Sequence, residues 1–407
     1  MVKAKASVEA LYIHIPFCNQ ICSYCDFPKV FSRGQDMDAY LMLLMTELAI
    51  YEKTVGFKGL QTVYIGGGTP TVLTVEQLDK LFTYLHSIIN FCMLTEVSIE
   101  ANPESLNDVE KIACLKQNGV TRISLGVQTF QEKHLKTLQR SHIGKDTSEV
   151  VTLLSKENFE INLDMIYGIP SQSLEDWEQD LELLLELPIT HVSAYSLILE
   201  EHTKFYNDYM KGELELVDNE VEAQMFELVI DKLVCAGFEH YEISNFTKGE
   251  RSRHNMIYWE NGYYIGVGLG AHGHLVQTAE VATALESKPV ESAQDVSHKH
   301  SSIRYENTRS MVAYKKALDL CGLPVSNAQT LTREAQIEES MFLGMRLMEG
   351  IDLADLQAKY GVDIYALYEP KLDQLDNLGY VSLKSGILRL TKKGLMMAND
   401  VFEEFLL

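Results

Sequence analysis

The first half of the chain alternates between short β-rich runs and segments of helical period. Six runs predict β-strands, at residues 11–15, 61–65, 96–100, 122–127, 160–166 and 191–199. Between them, apolar residues recur three and four positions apart, which predicts helices at 38–51, 75–89, 106–117, 148–157 and 174–187. Crossovers of this length require parallel strands covered by helices, in a doubly wound sheet or in a full or partial β/α barrel.

Unusual residues follow or end each predicted strand. In strand order they are the cysteine loop 18–25, the glycine run 66–68 with Thr69, then Glu100, Gln128 with Arg140 further on, Asp164, and finally Tyr195. In a barrel the carboxyl ends of all strands meet at one rim. We therefore expect an α/β fold built on a partial (β/α)6 TIM-type barrel with one site at that rim.

The pattern changes after residue 205, and we predict three parts: a barrel at 1–205, an α/β extension at 206–330, and a winged-helix-like module at 331–407. In the extension, 238–246 reads as one strand, 251–274 as irregular and 277–303 as a surface excursion. The terminal module has 8 basic and 13 acidic residues. We interpret it as a lid or interface rather than a DNA-binding domain, because no basic stripe marks a recognition helix.

Composition narrows the possible partners. The 407 residues are 46% hydrophobic. They include 35 basic and 58 acidic residues, for a net charge of -23. Such a surface repels phosphate backbones, so nucleic acid is not an expected partner. The N-terminal segment is too polar for a signal peptide or membrane span, and we expect a cytoplasmic protein.

Three of the seven cysteines, Cys18, Cys22 and Cys25, fall within eight residues directly after the first strand. Three thiolates at this spacing can hold a four-iron cluster and leave one iron open. A structural zinc site is the main alternative, but it closes with four ligands, and the other cysteines are isolated at 92, 114, 235 and 321. We do not expect a disulfide here, because disulfides suit small secreted domains rather than a long chain with no signal peptide.

The other rim residues are weaker signals when each is taken alone. Glycines 66–68 would let backbone approach a ligand closely, although a tight turn needs them equally. Glu100 and Asp164 would hold a ribose hydroxyl or an ammonium group, or are exposed loop acids. Arg140 with Gln128 would pair with a ligand carboxylate, or is a surface arginine.

Together these motifs resemble a known family. Tyr12-Ile-His-Ile-Pro-Phe-Cys-x3-Cys-x2-Cys stands with Gly-Gly-Gly-Thr-Pro at 66–70, Glu-x-Asn-Pro at 100–103, Leu-Gly-Val-Gln at 125–128 and Asp-x-Ile-Tyr-Gly-x-Pro at 164–170. The combination is similar to the radical S-adenosylmethionine (SAM) superfamily and, more narrowly, to its oxygen-independent coproporphyrinogen III oxidase group. The resemblance runs from about residue 10 to the C-terminus.

The resemblance implies a role for each matching residue. Cys18, Cys22 and Cys25 would hold a [4Fe-4S] cluster whose fourth iron takes SAM. The residues implied for SAM are Tyr12 and Tyr24 beside the cofactor, Gly67, Gly68 and Thr69 at its amino-acid end, and Glu100, Gln128, Arg140 and Asp164 on the remainder. The cofactor would then carry out the radical chemistry, and the protein would position it.

Two departures separate this chain from the oxidases it resembles. Phe27 stands where the oxidase pattern has a fourth cysteine, and Cys18 follows only seventeen residues. Both point to the haem chaperone branch called HemW, as does a His-Asn-x-x-Tyr-Trp pattern at 254–259. The resemblance implies haem as cargo and makes His254 a candidate haem ligand, with His272 and His274 as competitors.

Three functions follow as hypotheses. The first is haem binding and transfer to haem-requiring proteins, with a reductant protein as a further partner. The second is oxidative decarboxylation of coproporphyrinogen III propionates to vinyls, and the third is a non-catalytic regulatory role for the cluster. Whether SAM is cleaved, whether the chain forms a homodimer and whether it associates peripherally with a membrane stay open.

Overall fold

The structure is a computed structural model that describes residues 8–141, 144–285 and 301–406. The elements of its first part, in chain order, are β1 Ala10–Ile15, β2 Phe17–Cys18, β3 Val30–Phe31, α1 Met37–Thr54, β4 Thr62–Gly67, α2 Val75–Ile88, β5 Glu96–Ala101, α3 Val109–Gln117, β6 Arg122–Gln128, α4 Glu132–Leu138, α5 Gly144–Ser155, β7 Glu160–Tyr167, α6 Leu174–Leu185 and β8 His191–Ser196. Short 3-10 helices lie at Pro70–Val72, Phe91–Met93 and Pro103–Ser105. All six predicted strands and five predicted helices are present.

The six long strands form a parallel sheet in chain order, β1-β4-β5-β6-β7-β8. Each connection between successive strands contains one or two α-helices, as the crossover between parallel strands requires. The first and last strands of the whole sheet do not pair with each other. The predicted partial (β/α)6 barrel is therefore confirmed.

Helices pack on the outer face of this sheet through their apolar stripes. α6 is an example: Ser173 and Asp176 form a capping box at its start, and Trp177, on its buried face, is fully buried. The Trp177 indole N–H donates to the Met225 carbonyl oxygen at 3.0 Å. A fully buried leucine such as Leu181 contributes about 2 kcal/mol of transfer free energy, so this layer stabilises the sheet that carries the rim.

The extension adds strands to both edges of the same sheet. Its elements are α7 Lys204–Met210, α8 Asn219–Cys235, β9 Glu239–Glu242, β10 Asn245–Thr247, α9 Arg253–Trp259, β11 Tyr264–Val267, β12 His272–Val276, α10 Ala279–Ala284, β13 Ser302–Asn307, α11 Met311–Asp319 and β14 Val325–Leu331. Strands β11 to β14 continue the sheet beyond β1, and β10 and β9 continue it beyond β8, giving twelve strands. The predicted excursion at 277–303 falls partly outside the described residues.

Two local predictions for the extension were wrong. Residues 238–246 form a hairpin of β9 and β10 rather than one strand, with a register shift at Asn245. The region expected to be irregular contains α9, whose N-cap is the Ser252 side chain, followed by β11 and β12. A seven-residue helix shows too few turns for a helical period to stand out in the sequence.

The C-terminal module has the winged-helix order that was predicted. Its elements are α12 Arg333–Gly344, β15 Ile351–Asp352, α13 Leu353–Tyr360, α14 Ile364–Asn377, β16 Val381–Lys384, β17 Ile387–Leu390, α15 Lys392–Leu395 and α16 Ala398–Glu403. The three strands pair antiparallel in the order β15-β17-β16. Ile364, Tyr368 and Phe405 belong to a buried cluster separate from the main core. The division of the chain at 205 and 330 remains a prediction.

Candidate cluster and cofactor cavity

The cysteine loop leaves β1 at the carboxyl end of the sheet. Cys18 lies in β2 and is buried, whereas Cys22 and Cys25 are half-buried, and all three are free thiols. β2 pairs in parallel with β3, and His14 Nε2 donates to the Pro28 carbonyl oxygen at 2.7 Å. The loop is therefore tied at both ends to the strand it leaves.

Burial sets the ionisation of these thiols. It raises the pKa of Cys18 to about 11 and also raises the pKa of Cys25. Lys29 opposes the shift at Cys25 and donates hydrogen bonds to the carbonyl oxygens of Cys25 and Phe27. Because metals bind thiolates, loading such a site releases protons, and nearby cations favour the charged form.

The glycine run ends β4 directly beside the cysteine strand. Gly67 has a φ of +112°, and a Cβ there would lie 2.4 Å from the His14 ring. A Cβ on Gly68 would lie 2.7 Å from the Phe17 carbonyl oxygen. Thr69 follows, with Oγ1 3.9 Å from Cys18 Sγ. The glycines are therefore needed for β4 to approach the strand that carries Cys18.

Two carboxylates project into the same space from β5 and β7, the strands on either side of β6. Glu100 of β5 accepts hydrogen bonds from Gly67 N and from the Tyr64 hydroxyl, both at 2.9 Å. Burial raises the pKa of Glu100 to about 7. Asp164 of β7 accepts from Ser124 Oγ at 2.8 Å, and burial raises its pKa as well. Both groups can therefore accept hydrogen bonds from a polar ligand inside a low-dielectric site.

Arg140 joins the cysteine loop to the strand ends. Its Nη2 donates to Asn102 Oδ1 at 3.0 Å and to the Gly126 carbonyl oxygen, and its Nη1 lies 3.5 Å from Cys22 Sγ. Its Nε is buried without a partner among the described residues. Gln128 lies nearby with a φ of +70°, at a bulge between β6 and β7. Such strained backbone at a cavity wall typically re-aims a side chain.

These groups line one cavity of about 410 Å³ that receives side chains or loops from all six parallel strands. Of the twelve residues that the sequence implied for the cluster and SAM, eleven line it: Cys18, Cys22, Tyr24, Cys25, Gly67, Gly68, Thr69, Glu100, Gln128, Arg140 and Asp164. Tyr195, expected at the same rim, lines it as well. Residues that the sequence argument missed also line it, namely Lys29, Tyr64 and Ser124. Tyr64 and Ser124 each stand two positions before a residue at the rim, so strand alternation alone would have placed them on the cavity face.

Tyr12 lies outside the cavity lining. Its hydroxyl donates to His14 Nδ1 at 3.0 Å, and its ring stacks on Tyr64 at 6.1 Å between centroids. Tyr64 does line the cavity. Tyr12 therefore contacts a residue of the wall and is not itself part of the lining.

His254 is buried one layer deeper in the barrel. Its Nδ1 lies 2.8 Å from Thr62 Oγ1, and its Nε2 lies 2.8 Å from the Tyr258 hydroxyl. The ring packs against Tyr64 at 5.0 Å, and burial lowers the pKa of His254 to about 3. Both ring nitrogens of this neutral histidine are engaged, so neither is free for iron in this conformation.

The competing histidines differ in accessibility. His274 is buried, with Nδ1 bonded to the Gly262 carbonyl oxygen and Nε2 to Ser302. His272 is exposed, and its Nε2 lies 3.8 Å from Glu306.

Within residues 8–141, 144–285 and 301–406, no three His, Cys, Asp or Glu side chains are gathered as ligands of a single metal ion. Those same ranges contain no helix long and apolar enough to cross a membrane.

Comparison with known proteins fixes the family. Residues 12–184 match the Radical SAM superfamily, and residues 331–397 match the HemN C-terminal domain. The "Heme chaperone HemW" of Lactococcus lactis is 39% identical over 404 residues, covering 98% of this chain and 97% of that protein. The chain belongs to the HemW family. The HemW of Bacillus subtilis is 38% identical, covering 98% of this chain and 99% of that one.

The fold is also that of a solved relative. The coproporphyrinogen III oxidase HemN of Escherichia coli superposes with a TM-score of 0.78 at 20% identity, covering 98% of this chain and 90% of HemN. At that identity the likeness concerns the fold. The HemW-family chain thus shares its architecture with the oxidase and its sequence with the proteins named heme chaperones.

The residues present fit the groups that a radical SAM family implies. A [4Fe-4S] cluster needs thiolates, and three free thiols line the cavity. SAM carries an amino group, a carboxylate and ribose hydroxyls. The wall offers buried carboxylates and an arginine whose Nε has no partner within the part of the chain that the structure describes. The donor set therefore matches both groups.

Proposed function

We propose that this chain binds a [4Fe-4S] cluster and SAM in the cavity and carries haem to haem-requiring proteins. The observation that carries the proposal is the convergence of Cys18, Cys22 and Cys25 with groups from all six parallel strands on one cavity. The relatives of 38% and 39% identity that span the whole chain are named heme chaperones, which supports the choice of cargo.

Different residues of the cavity bind the cluster and the different groups of SAM. The three cysteines hold the cluster, and the backbone of Gly67 and Gly68 faces the amino-acid end of SAM. Glu100 and Asp164 accept hydrogen bonds from SAM, whose amino and hydroxyl groups are donors. When bound, the cluster and SAM would supply radical chemistry, and these residues would hold and orient both groups.

Arg140 is suited to the carboxylate of SAM. Two of its nitrogens are held by Asn102, Gly126 and Cys22, which fixes the guanidinium plane. The remaining Nε is buried and unpartnered among the described residues, and a buried donor without an acceptor costs free energy. A ligand carboxylate placed there would satisfy it.

Phe27 supports the carrier over the oxidase. It occupies the position where the oxidase pattern has a fourth cysteine, lines the cavity and is 56% exposed. An aromatic ring therefore lines the cavity at the position where the oxidase pattern has a thiol. A flat apolar surface suits contact with a porphyrin face and supplies no extra redox or acid-base group.

Two assays distinguish haem transfer from the oxidation of coproporphyrinogen III. Anaerobically reconstituted protein should bind haem and pass it to an apo-haemoprotein, followed by the Soret band of the acceptor. The same protein, given reductant, SAM and coproporphyrinogen III, should yield no protoporphyrinogen. Turnover in the second assay would favour the oxidase, and failure to bind haem would refute the carrier role.

The proposed function requires partners beyond the cavity. A reductant protein supplies electrons to the cluster, and haem-requiring proteins receive the cargo, with the exchange taking place in the cytoplasm. His254 is the proposed haem ligand, which requires its Nε2 to leave Tyr258. Sedimentation with and without haem tests whether the chain dimerises, and vesicle co-sedimentation tests peripheral membrane association.

A further inference from the structure

A chain of buried hydrogen bonds runs through the barrel to Asp164. It starts at the α9 N-cap, where Ser252 N donates to the Tyr241 hydroxyl at 3.3 Å. Tyr241 OH lies 2.8 Å from His191 Nε2, and His191 Nδ1 lies 2.7 Å from Asn162 Oδ1. Asn162 Nδ2 then donates to Asp164 Oδ1 at 2.8 Å. The four residues before Asp164 are each buried to at least nine-tenths.

The carboxylate at the end gives the chain one direction. A carboxylate only accepts, so Asn162 turns its Nδ2 toward Asp164 and its Oδ1 toward His191. His191 must then carry its proton on Nδ1 and donate to Asn162 Oδ1. His191 Nε2 is therefore an acceptor, to which the Tyr241 hydroxyl donates while its oxygen accepts from Ser252 N.

A second branch reaches the other carboxylate oxygen. Asn162 Nδ2 donates to Ser124 Oγ at 2.7 Å, and Ser124 Oγ donates to Asp164 Oδ2 at 2.8 Å. Ser193 Oγ lies 2.9 Å from Asn162 Nδ2 and 3.2 Å from Asn162 Oδ1, so it contacts the amide without selecting its orientation. Asp164 Oδ1 is therefore held by Asn162 itself, and Asp164 Oδ2 by a serine that Asn162 also contacts.

We propose that Asn162 and His191 are positioning residues that orient the Asp164 carboxylate for a donor group of SAM. Asn162 and Asp164 stand two positions apart on one face of β7, but only Asp164 lines the cavity, so Asn162 acts through it. The inference rests on the proposed function, since it takes SAM as the ligand. It adds to that function a set of residues that never touches the cofactor.

Loss of Asn162 removes the amide donor to Asp164 and leaves the Ser124 and Ser193 hydroxyls as its hydrogen-bond partners. The carboxylate is then less firmly oriented toward the ligand, and the expected cost to binding is about that of one charge-assisted hydrogen bond, a roughly tenfold weaker SAM affinity. A role confined to folding would instead lower stability and leave the affinity of the folded protein unchanged.

A double-mutant cycle separates these roles. SAM affinity is measured by calorimetry on cluster-loaded wild type, Asn162→Ala, Asp164→Ala and the double variant, with iron content and thermal unfolding measured for each. Asn162→Ala should weaken binding about tenfold in the wild type and cause no further loss in the Asp164→Ala background. Equal losses in both backgrounds, or no loss at all, would overturn the inference.

Two further variants keep the test decisive. Asn327→Ala, an exposed asparagine on the edge strand β14, is the matched control and should leave SAM affinity unchanged. His191→Phe keeps a ring in place and should weaken binding about threefold, which covers the case in which Asn162→Ala does not fold. Wild type that fails to bind SAM refutes the proposed function itself, whereas wild type that binds beside unaffected variants refutes only the positioning roles.

Discussion

The guanidinium of Arg140 donates a hydrogen bond to Cys22 Sγ at 3.5 Å. The same group is held by Asn102 and by the Gly126 carbonyl oxygen, which come from the ends of β5 and β6. A cation fixed beside a cluster ligand stabilises additional negative charge on the sulfur and iron. Arg140 therefore connects the cysteine loop electrostatically to the strands that line the cofactor cavity.

Arg140→Met should lower the reduction potential of the bound cluster. The loss of one charge-assisted hydrogen bond to a ligand sulfur removes stabilisation that is larger in the reduced state, on the order of 60 mV for a one-electron couple. The measurement is a redox titration followed by electron paramagnetic resonance. Arg389→Met, at an exposed position of β17, is the control and should leave the potential unchanged. An unshifted potential in Arg140→Met would contradict the electrostatic link.

Gly68→Ala should impair cluster loading. The added Cβ would lie 2.7 Å from both the Phe17 carbonyl oxygen and the Pro16 carbonyl carbon, and backbone atoms cannot rotate away as a flexible side chain can. The strand carrying Cys18 must then move, so we expect a loss of roughly 1–3 kcal/mol in stability and less iron per chain.

Iron content and thermal unfolding measured on the same preparations check the Gly68 prediction. Gly322→Ala is the matched control, because its nearest neighbour would lie 3.6 Å from the new Cβ. If Gly68→Ala loads about four irons per chain as the wild type is expected to do, the glycine is not required for the close approach.

The parallel sheet was predictable because the residue types within each strand and the length of the connections between strands both indicate it. The run at 160–166 is rich in β-branched and large apolar residues, and the structure has β7 at Glu160–Tyr167. Crossovers that contain a helix leave parallel pairing as the available arrangement, and parallel strands place every carboxyl end at one edge. For that reason Glu100, Gln128 and Asp164 could be assigned to one rim without any coordinates.

Depth inside the barrel was not predictable. Period-two alternation gives the face of a side chain and not its distance from the rim, so the sequence did not predict that Tyr12 and His254 lie outside the cavity lining. Their roles toward SAM and haem remain predictions. His254 reaches the interior because Glu96 accepts hydrogen bonds from the backbone N–H groups of Arg253 and His254, at 2.8 and 3.3 Å. That contact joins residues more than 150 positions apart, which no local pattern encodes.

Glu47 should make the stability of the fold fall as pH rises. Its carboxylate lies buried between α1 and the extension and accepts from Gly268 N at 2.9 Å, Asn307 Nδ2 at 2.7 Å and Tyr314 OH at 2.5 Å. Burial nevertheless raises its pKa from 4.5 to about 7. Between these two values the unfolded chain has lost a proton that the folded chain retains, so stability declines across this window, by up to about 3 kcal/mol.

Thermal unfolding from pH 4.5 to pH 8 tests this sign. Glu47→Gln removes the titration, so the stability of wild type relative to Glu47→Gln should decrease up to about pH 7 and then level off. Glu100 contributes a slope of the same direction in both proteins and cancels from the difference. The exposed Glu213→Gln variant should parallel wild type, and a Glu47→Gln profile parallel to wild type would rule out the buried titration.

The two nitrogens of His254 make its proposed role in haem binding testable one side at a time. Nε2 is held by Tyr258 and Nδ1 by Thr62, each at 2.8 Å. If iron takes Nε2, Tyr258→Phe removes a competitor and should tighten haem binding, whereas Thr62→Val frees only Nδ1 and should have little effect. His254→Ala should weaken binding and shift the Soret band, because an axial ligand is lost.

Haem titration of these three variants with thermal unfolding in parallel distinguishes ligation from packing. A buried ring with two hydrogen bonds contributes to stability whatever its role, so His254→Ala is expected to unfold earlier, by roughly 2–4 kcal/mol, in either case. Only ligation predicts opposite effects of Tyr258→Phe and His254→Ala on affinity. An unchanged Soret band in all three variants would assign His254 to the barrel core and direct the search for the iron ligand to the exposed His272.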